Sequence, residues 1–145
     1  MISRALVVAF LAILGMSSVA CGPSPEDFRA RVVELSGTHA VDCGYVAIGN
    51  DLTSSLECFG TQLGGSRPFR VAVETYGLES ILVFAVVRST SGQLRYVRYD
   101  PDRCHHNCWF KRPQMSEGDC PGPHIVKDPD GSFARDPIAC MGHGA

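Results

Sequence analysis

The clearest pattern in the chain is an alternation that begins after Pro68. Phe69, Val71 and Val73 alternate with Arg70, Ala72 and Glu74 up to Tyr76, the period of a half-buried strand. Ser80 to Val87 is nearly all apolar, and its run Ile81-Leu82-Val83-Phe84-Ala85-Val86-Val87 predicts a central strand covered on both faces. Gln93 to Tyr99 alternates again, with Leu94, Tyr96 and Arg98 set against Arg95, Val97 and Tyr99. The links Gly77-Leu78-Glu79 and Ser89-Thr90-Ser91-Gly92 have hairpin length and are too short for a parallel crossover. The three strands therefore form an antiparallel meander.

Upstream, the period changes to that of a helix. Ser24 is suited to N-cap a helix with Pro25 at its first position and Glu26-Asp27 facing the positive end of the dipole. Phe28, Val32 and Leu35 recur at helical spacing and Gly37 supplies a stop. Val41 to Ile48 reads as a short strand around Cys43-Gly44-Tyr45. Asn50 or Asp51 then caps a second helix, in which Leu52, Leu56, Phe59 and Leu63 fall within about a 60° arc. Gly64-Gly65 ends it. From Asp100 onward neither period is sustained, and residues 101–145 hold six of the nine prolines and four of the seven cysteines. Such a segment buries little apolar surface, so cross-links are the expected means of fixing it. The fold expected is α+β: two helices packed on a four-stranded, mainly antiparallel sheet, with an irregular disulfide-stapled C-terminal tail. Its parts are a signal peptide over 1–20, a tether over 21–24, a core over 25–100 and the Cys/Pro-rich tail over 101–145.

Composition adds little to this picture except at the N-terminus. With Lys+Arg 13 and Asp+Glu 15 the charge is −2, which excludes a basic nucleic-acid footprint. Met1-Ile2-Ser3-Arg4 is followed by an apolar run from Ala5 to Met16 and by small residues from Ser17 to Ala20. That is the three-part form of a secretory signal, with a run too short for a membrane span. Ser18-Val19-Ala20-Cys21 resembles the lipobox of bacterial lipoproteins, although Ser18 stands where that family prefers Leu. The resemblance implies that Cys21 is acylated and becomes the new N-terminus, tying the protein to a membrane of the cell envelope, the outer membrane being expected. The alternative is an ordinary signal cleavage that leaves Cys21 as a spare thiol on a secreted protein. Cysteine parity favours acylation, because it removes one of seven and leaves six, an even set.

Those six are Cys43, Cys58, Cys104, Cys108, Cys120 and Cys140. Cys43 and Cys58 close a loop worth about 3 kcal/mol in the chain-entropy picture, and Cys58 lies off the apolar stripe of its helix, within reach of a strand. The other four allow three pairings. Cys104-His105-His106-Asn107-Cys108 also holds enough ligands for zinc. A second tight ligand pair is missing, since Cys120, His124, Cys140 and His143 are scattered among prolines, so disulfides in an oxidising compartment are the preferred reading. Trp109-Phe110-Lys111-Arg112 is either a core plug beside a disulfide or a contact patch for a partner or lipid headgroups. Asp128-Pro129-Asp130-Gly131-Ser132 departs from the calcium-loop pattern and reads as a solvated turn, and so does Asp100-Pro101-Asp102.

No serine-hydrolase, zinc-protease, P-loop or dinucleotide-binding motif is present in the sequence, and His39 near Asp42 is an isolated loop histidine. No cofactor is implied, and no catalytic or metal residue is assigned. The run from Asp42-Cys43-Gly44 through Cys58, Arg67-Pro68-Phe69-Arg70 and Tyr99-Asp100 is similar to bacterial secreted and lipoprotein families with paired cysteines. That similarity implies export and compactness and carries no activity with it. The functional expectation is an exported, lipid-anchored envelope protein that acts as a binding or structural module, in contact with the membrane through its anchor and with a possible protein partner, and without nucleic acid. The rival classes are an extracytoplasmic enzyme whose residues converge only in three dimensions and a metal-binding module built on Cys104 and Cys108.

Overall fold

A computed structural model describes residues 22–77, 80–101 and 112–142. The order of elements is α1 (Pro25–Ser36), β1 (Val41–Val46), α2 (Thr53–Leu63), β2 (Phe69–Tyr76), β3 (Ile81–Arg88), β4 (Leu94–Asp100), β5 (Gln114–Asp119), β6 (His124–Lys127) and β7 (Phe133–Ala139). The first five strands form one sheet in the order β1-β2-β3-β4-β5, and β6 pairs with β7. The main sheet thus has five strands where four were expected. It is mixed, because β1 runs parallel to β2 through the α2 crossover while every other pairing is antiparallel.

The sheet is the middle of three layers, and the alternation of β2 and β3 builds both interfaces. Ala72, Val83, Ala85 and Val87, with Val97 and Tyr99 of β4, face α1 and pack on its Phe28 and Val32. Val71, Val73 and Val86 point the other way, into a core shared with Leu56 and Phe59 of α2 and with Ile138, Cys120 and Cys140 around the β6–β7 hairpin. The expectation that β3 is covered on both faces is met.

The helix ends follow the local chemistry. Ser24 and Asp27 form a reciprocal capping box, with the Asp27 N–H donating to Ser24 Oγ at 3.1 Å and the Ser24 N–H donating to Asp27 Oδ2 at 2.7 Å. Asp51 accepts from the Thr53 N–H at 2.9 Å and satisfies the start of α2 from just outside it. At the other end of α2, buried Arg88 donates to the carbonyls of Gln62 at 2.8 Å and Leu63 at 3.1 Å and also to Gly65. Its guanidinium lies 5.2 Å from the centroid of the Phe69 ring. Among the described residues no carboxylate pairs with it, and the cation is tolerated because it answers the negative end of the helix and rests on an aromatic face.

The C-terminal segment departs from its expected irregularity. β5 carries a single apolar side chain, Met115, so no hydrophobic period announces it. It is an edge strand held by its ladder to β4 and by charge: Glu117 takes a bidentate pair from Arg31 of α1, both bonds 2.7 Å, and a 3.4 Å contact from Arg95 of β4. The reading of Asp128 to Ser132 as a turn holds, since Asp128 N–H donates to the Ser132 carbonyl at 2.9 Å and closes the β6–β7 hairpin. β1 stops at Val46, short of Ile48, because the Ile48 N–H goes to the Glu74 side chain at 3.0 Å instead of a strand.

Among the described residues two disulfides fasten the second layer. Cys43–Cys58 joins β1 to α2, and Cys120–Cys140 closes the base of the β6–β7 hairpin. Cys58→Ala should lower stability by about 2–5 kcal/mol in chemical denaturation, the range for a native bridge in a small domain; a loss near zero would mean that α2 is held by packing alone.

Arg31 holds the Glu117 carboxyl below the ordinary glutamate range, and its own pKa is raised in return. A depressed carboxylate pKa stabilises the fold above the unfolded pKa, and that stabilisation is lost as pH falls through the folded one. Glu117→Gln should therefore cost about 0.5–1 kcal/mol at neutral pH, allowing for the partial exposure of the pair. The difference from wild type in urea unfolding should shrink as the medium is acidified below about pH 4.

Candidate functional site

α1 crosses the sheet over β2, β3 and β4 and leaves the β1 side of the same face partly open. The result is a groove of about 300 Å³ between α1, β1 and β2. Phe28, Val32 and Val33 form its helical wall, Ala72 its base, and Tyr45, Arg29, Arg70 and Asp42 its polar rim.

The rim is organised by hydrogen bonds that run along the strands. Arg70 donates to Asp42 Oδ2 from Nε at 3.0 Å and from Nη2 at 2.8 Å, and reaches the Gly37 carbonyl at 3.4 Å. Asp42 uses its other oxygen on the Gly44 N–H at 2.9 Å, within the irregularity of β1 between Asp42 and Tyr45. Gly44 has φ of +97°, and a Cβ there would come to 3.2 Å from Ser55 Oγ, so the position wants glycine for both conformation and space. The irregularity turns the Tyr45 ring to the mouth of the groove. Its hydroxyl donates to Glu74 Oε1 at 2.7 Å, and the Arg29 guanidinium sits 5.7 Å from the ring centroid.

Partial burial, together with the Glu74 carboxylate, pushes the Tyr45 phenol up to about 12. The phenol is neutral at every physiological pH and acts as a fixed hydrogen-bonded wall, not as a base. The groove offers an apolar base, one aromatic edge and two guanidinium groups, each already paired with a carboxylate: Arg70 with Asp42 at 2.8 Å and Arg29 with Glu26 at 3.8 Å.

The sequence-selected residues fall elsewhere. Cys43 and Cys58 are joined behind the sheet, and Cys120 and Cys140 are joined beneath the hairpin, all away from the groove lining. Cys21, Cys104, His105, His106, Cys108, Trp109 and His143 lie outside the described residues. His39 is exposed, and His124 contacts the Gly122 carbonyl at 3.0 Å through Nδ1. Among the described residues no group of three or more His, Cys, Asp or Glu is placed to hold a metal ion. Sequence reasoning missed the groove. Arg29, Arg70 and Tyr45 carry no motif, and the register of β1 against β2, which brings Tyr45 opposite Ala72, is a tertiary result.

Compared with protein-family models, with curated proteins and with solved structures, the chain matches none. Among the described residues, the class defined by the fold is a three-layer α+β domain with a mixed five-stranded sheet and two disulfides. Disulfides persist outside the reducing cytoplasm, which agrees with an exported protein.

Tyr45→Phe should cost about 0.5–1 kcal/mol at neutral pH, the worth of one side-chain hydrogen bond. A phenol raised on folding stabilises below the unfolded pKa near 10, and the gain disappears as pH rises through about 12. The gap between variant and wild type in urea unfolding should therefore narrow on the alkaline side only.

Proposed function

We propose that the protein is an exported, lipid-anchored envelope protein that acts by binding, with the groove between α1 and β1 as its ligand site. The observation that carries the reading is the groove itself: an apolar base open to solvent, with a neutral tyrosine and guanidinium groups at its rim. Its volume lies at the small end of ligand sites, which suits a small molecule or a single inserted side chain. The lipobox-like Ser18-Val19-Ala20-Cys21 and the even count of the remaining cysteines support the anchor. Among the described residues no helix is long and apolar enough to cross a membrane, so attachment in this reading rests on acylation of Cys21.

Two measurements test the reading. Intact-mass analysis of protein isolated from its native envelope should show acyl chains on Cys21, while Cys21→Ser should leave the membrane fraction; an unmodified N-terminal cysteine refutes the anchor. Native mass spectrometry of the same preparation should show a bound small molecule that is lost in Val33→Trp, a substitution that fills the groove from its half-buried helical wall. A ligand retained by Val33→Trp refutes the groove as its site. Zinc bound to the folded protein, with thiols appearing only once the metal is stripped, would move it to the metal-binding class.

A further inference from the structure

One end of the sheet gathers apolar side chains that the core does not use. Tyr76 ends β2, Ile81 begins β3, and the two are register partners. Val83, two residues beyond Ile81 on the same face, pairs with Tyr99, and Tyr99 pairs with Met115 of β5. The sheet register thus sets Tyr76, Ile81 and Met115 on one face at one end, and they are 52%, 45% and 36% exposed. Phe28, in the first turn of α1, meets the Tyr99 ring at 5.9 Å, so the helix begins at this same end.

The start of the described chain is fixed there as well. The Gly22 backbone runs so close to β5 that a Cβ would meet the Pro113 carbonyl oxygen at 2.9 Å, and Ser24 is locked in its capping box. The segment 22–24 therefore runs along the domain, with Gly22 exposed and Pro23 and Ser24 half-buried, and leaves only a short tether. Cys21 is one peptide bond away, about 3.8 Å between Cα atoms.

Among the described residues the charge at this end is close to balanced. Glu26 is met by Arg29 at 3.8 Å, Asp27 is committed to the cap of α1, and Asp100 accepts from Ser80 Oγ at 2.9 Å. Arg112 is exposed beside Pro113, and Arg135 lies over the Tyr76 ring at 5.2 Å and reaches the Gly77 carbonyl at 3.4 Å. An amphipathic ring, two aliphatic side chains and flanking guanidinium groups are the composition that settles in the interfacial layer of a bilayer.

We propose that this end of the sheet lies flat on the lipid surface, with Tyr76, Ile81 and Met115 in the interfacial region. The inference rests on the acylation of Cys21 and adds the face that acylation presses to the membrane. A short N-terminal tether only one bond from the acyl chains leaves the domain little reach to stand off. The contact is apolar, so a zwitterionic bilayer suffices and salt has little effect.

Hydroxyl-radical footprinting of the full lipoprotein in phosphatidylcholine vesicles tests the orientation, because methionine is among the most readily oxidised side chains. Met141 is the internal reference. It is 61% exposed, and it belongs to the opposite end, where its N–H donates to the Pro121 carbonyl just after Cys120 bonds to Leu94. Relative to the soluble Cys21→Ser protein, vesicle-bound lipoprotein should show about threefold less oxidation at Met115, with Met141 unchanged, at both low and high salt. Acylated, vesicle-bound protein in which Met115 and Met141 are oxidised as in the soluble form overturns the orientation alone. Protection that requires anionic lipid, or vanishes in high salt, overturns the apolar contact. A mass showing unmodified Cys21 overturns the anchor and the orientation together.

Discussion

A sheet whose central strand, β3, is apolar on both faces is the constraint on which the rest of the molecule depends. Val71, Val73 and Val86 on one side and Ala72, Ala85 and Val87 on the other are all nearly inaccessible to solvent. Two faces need two covers, and each cover has to be supplied by chain on either side of the meander. α1 covers one face with Phe28 and Val32, while α2 and the β6–β7 hairpin share the other. At about 25 cal/mol per Å² of apolar surface removed from water, this burial is the main stabilising term against chain entropy.

The two covers are held by different means. α1 makes a continuous stripe and is secured at its start by the capping box and at its middle by the Arg31–Glu117 pair. The opposite cover consists of α2, which buries Leu56 and Phe59, and a small two-stranded hairpin that is marginal on its own. There the chain uses covalent bonds, one from α2 to β1 and one across the base of the hairpin. Arg88 adds a polar clamp at the end of α2 nearest the β3–β4 turn.

The same arrangement creates the two features read as functional. One helix cannot cover five strands, so the β1 side of its face stays open as the groove and the far end of the sheet leaves Tyr76, Ile81 and Met115 uncovered. In the proposed function the first receives a ligand and the second meets the membrane. Both lie on the α1 face, and in this reading the anchor and the binding site share one side of the sheet.

Strong local periodicity made most of the core legible in the sequence. The limits of α1 followed from Ser24, Pro25 and Gly37, and the meander from alternation and from links too short to cross over. The apolar run of β3 announced burial on both faces, and the position of Cys58 off the helical stripe pointed to a strand partner. β5 was invisible because an edge strand satisfied by ion pairs needs no hydrophobic period: its Glu117 meets Arg31 from a residue 86 positions away. The Cys120–Cys140 pairing was one of three allowed by counting alone, and the hairpin between them selected it. The groove, too, was a tertiary decision, since its residues come from three elements and carry no motif. Thus the sequence by itself determined the local elements and the two-sided core, because periodicity and capping act within a few residues. The tertiary structure alone decided the fifth strand, the second disulfide and the open side of the α1 face, because each depends on which distant segments come to lie together.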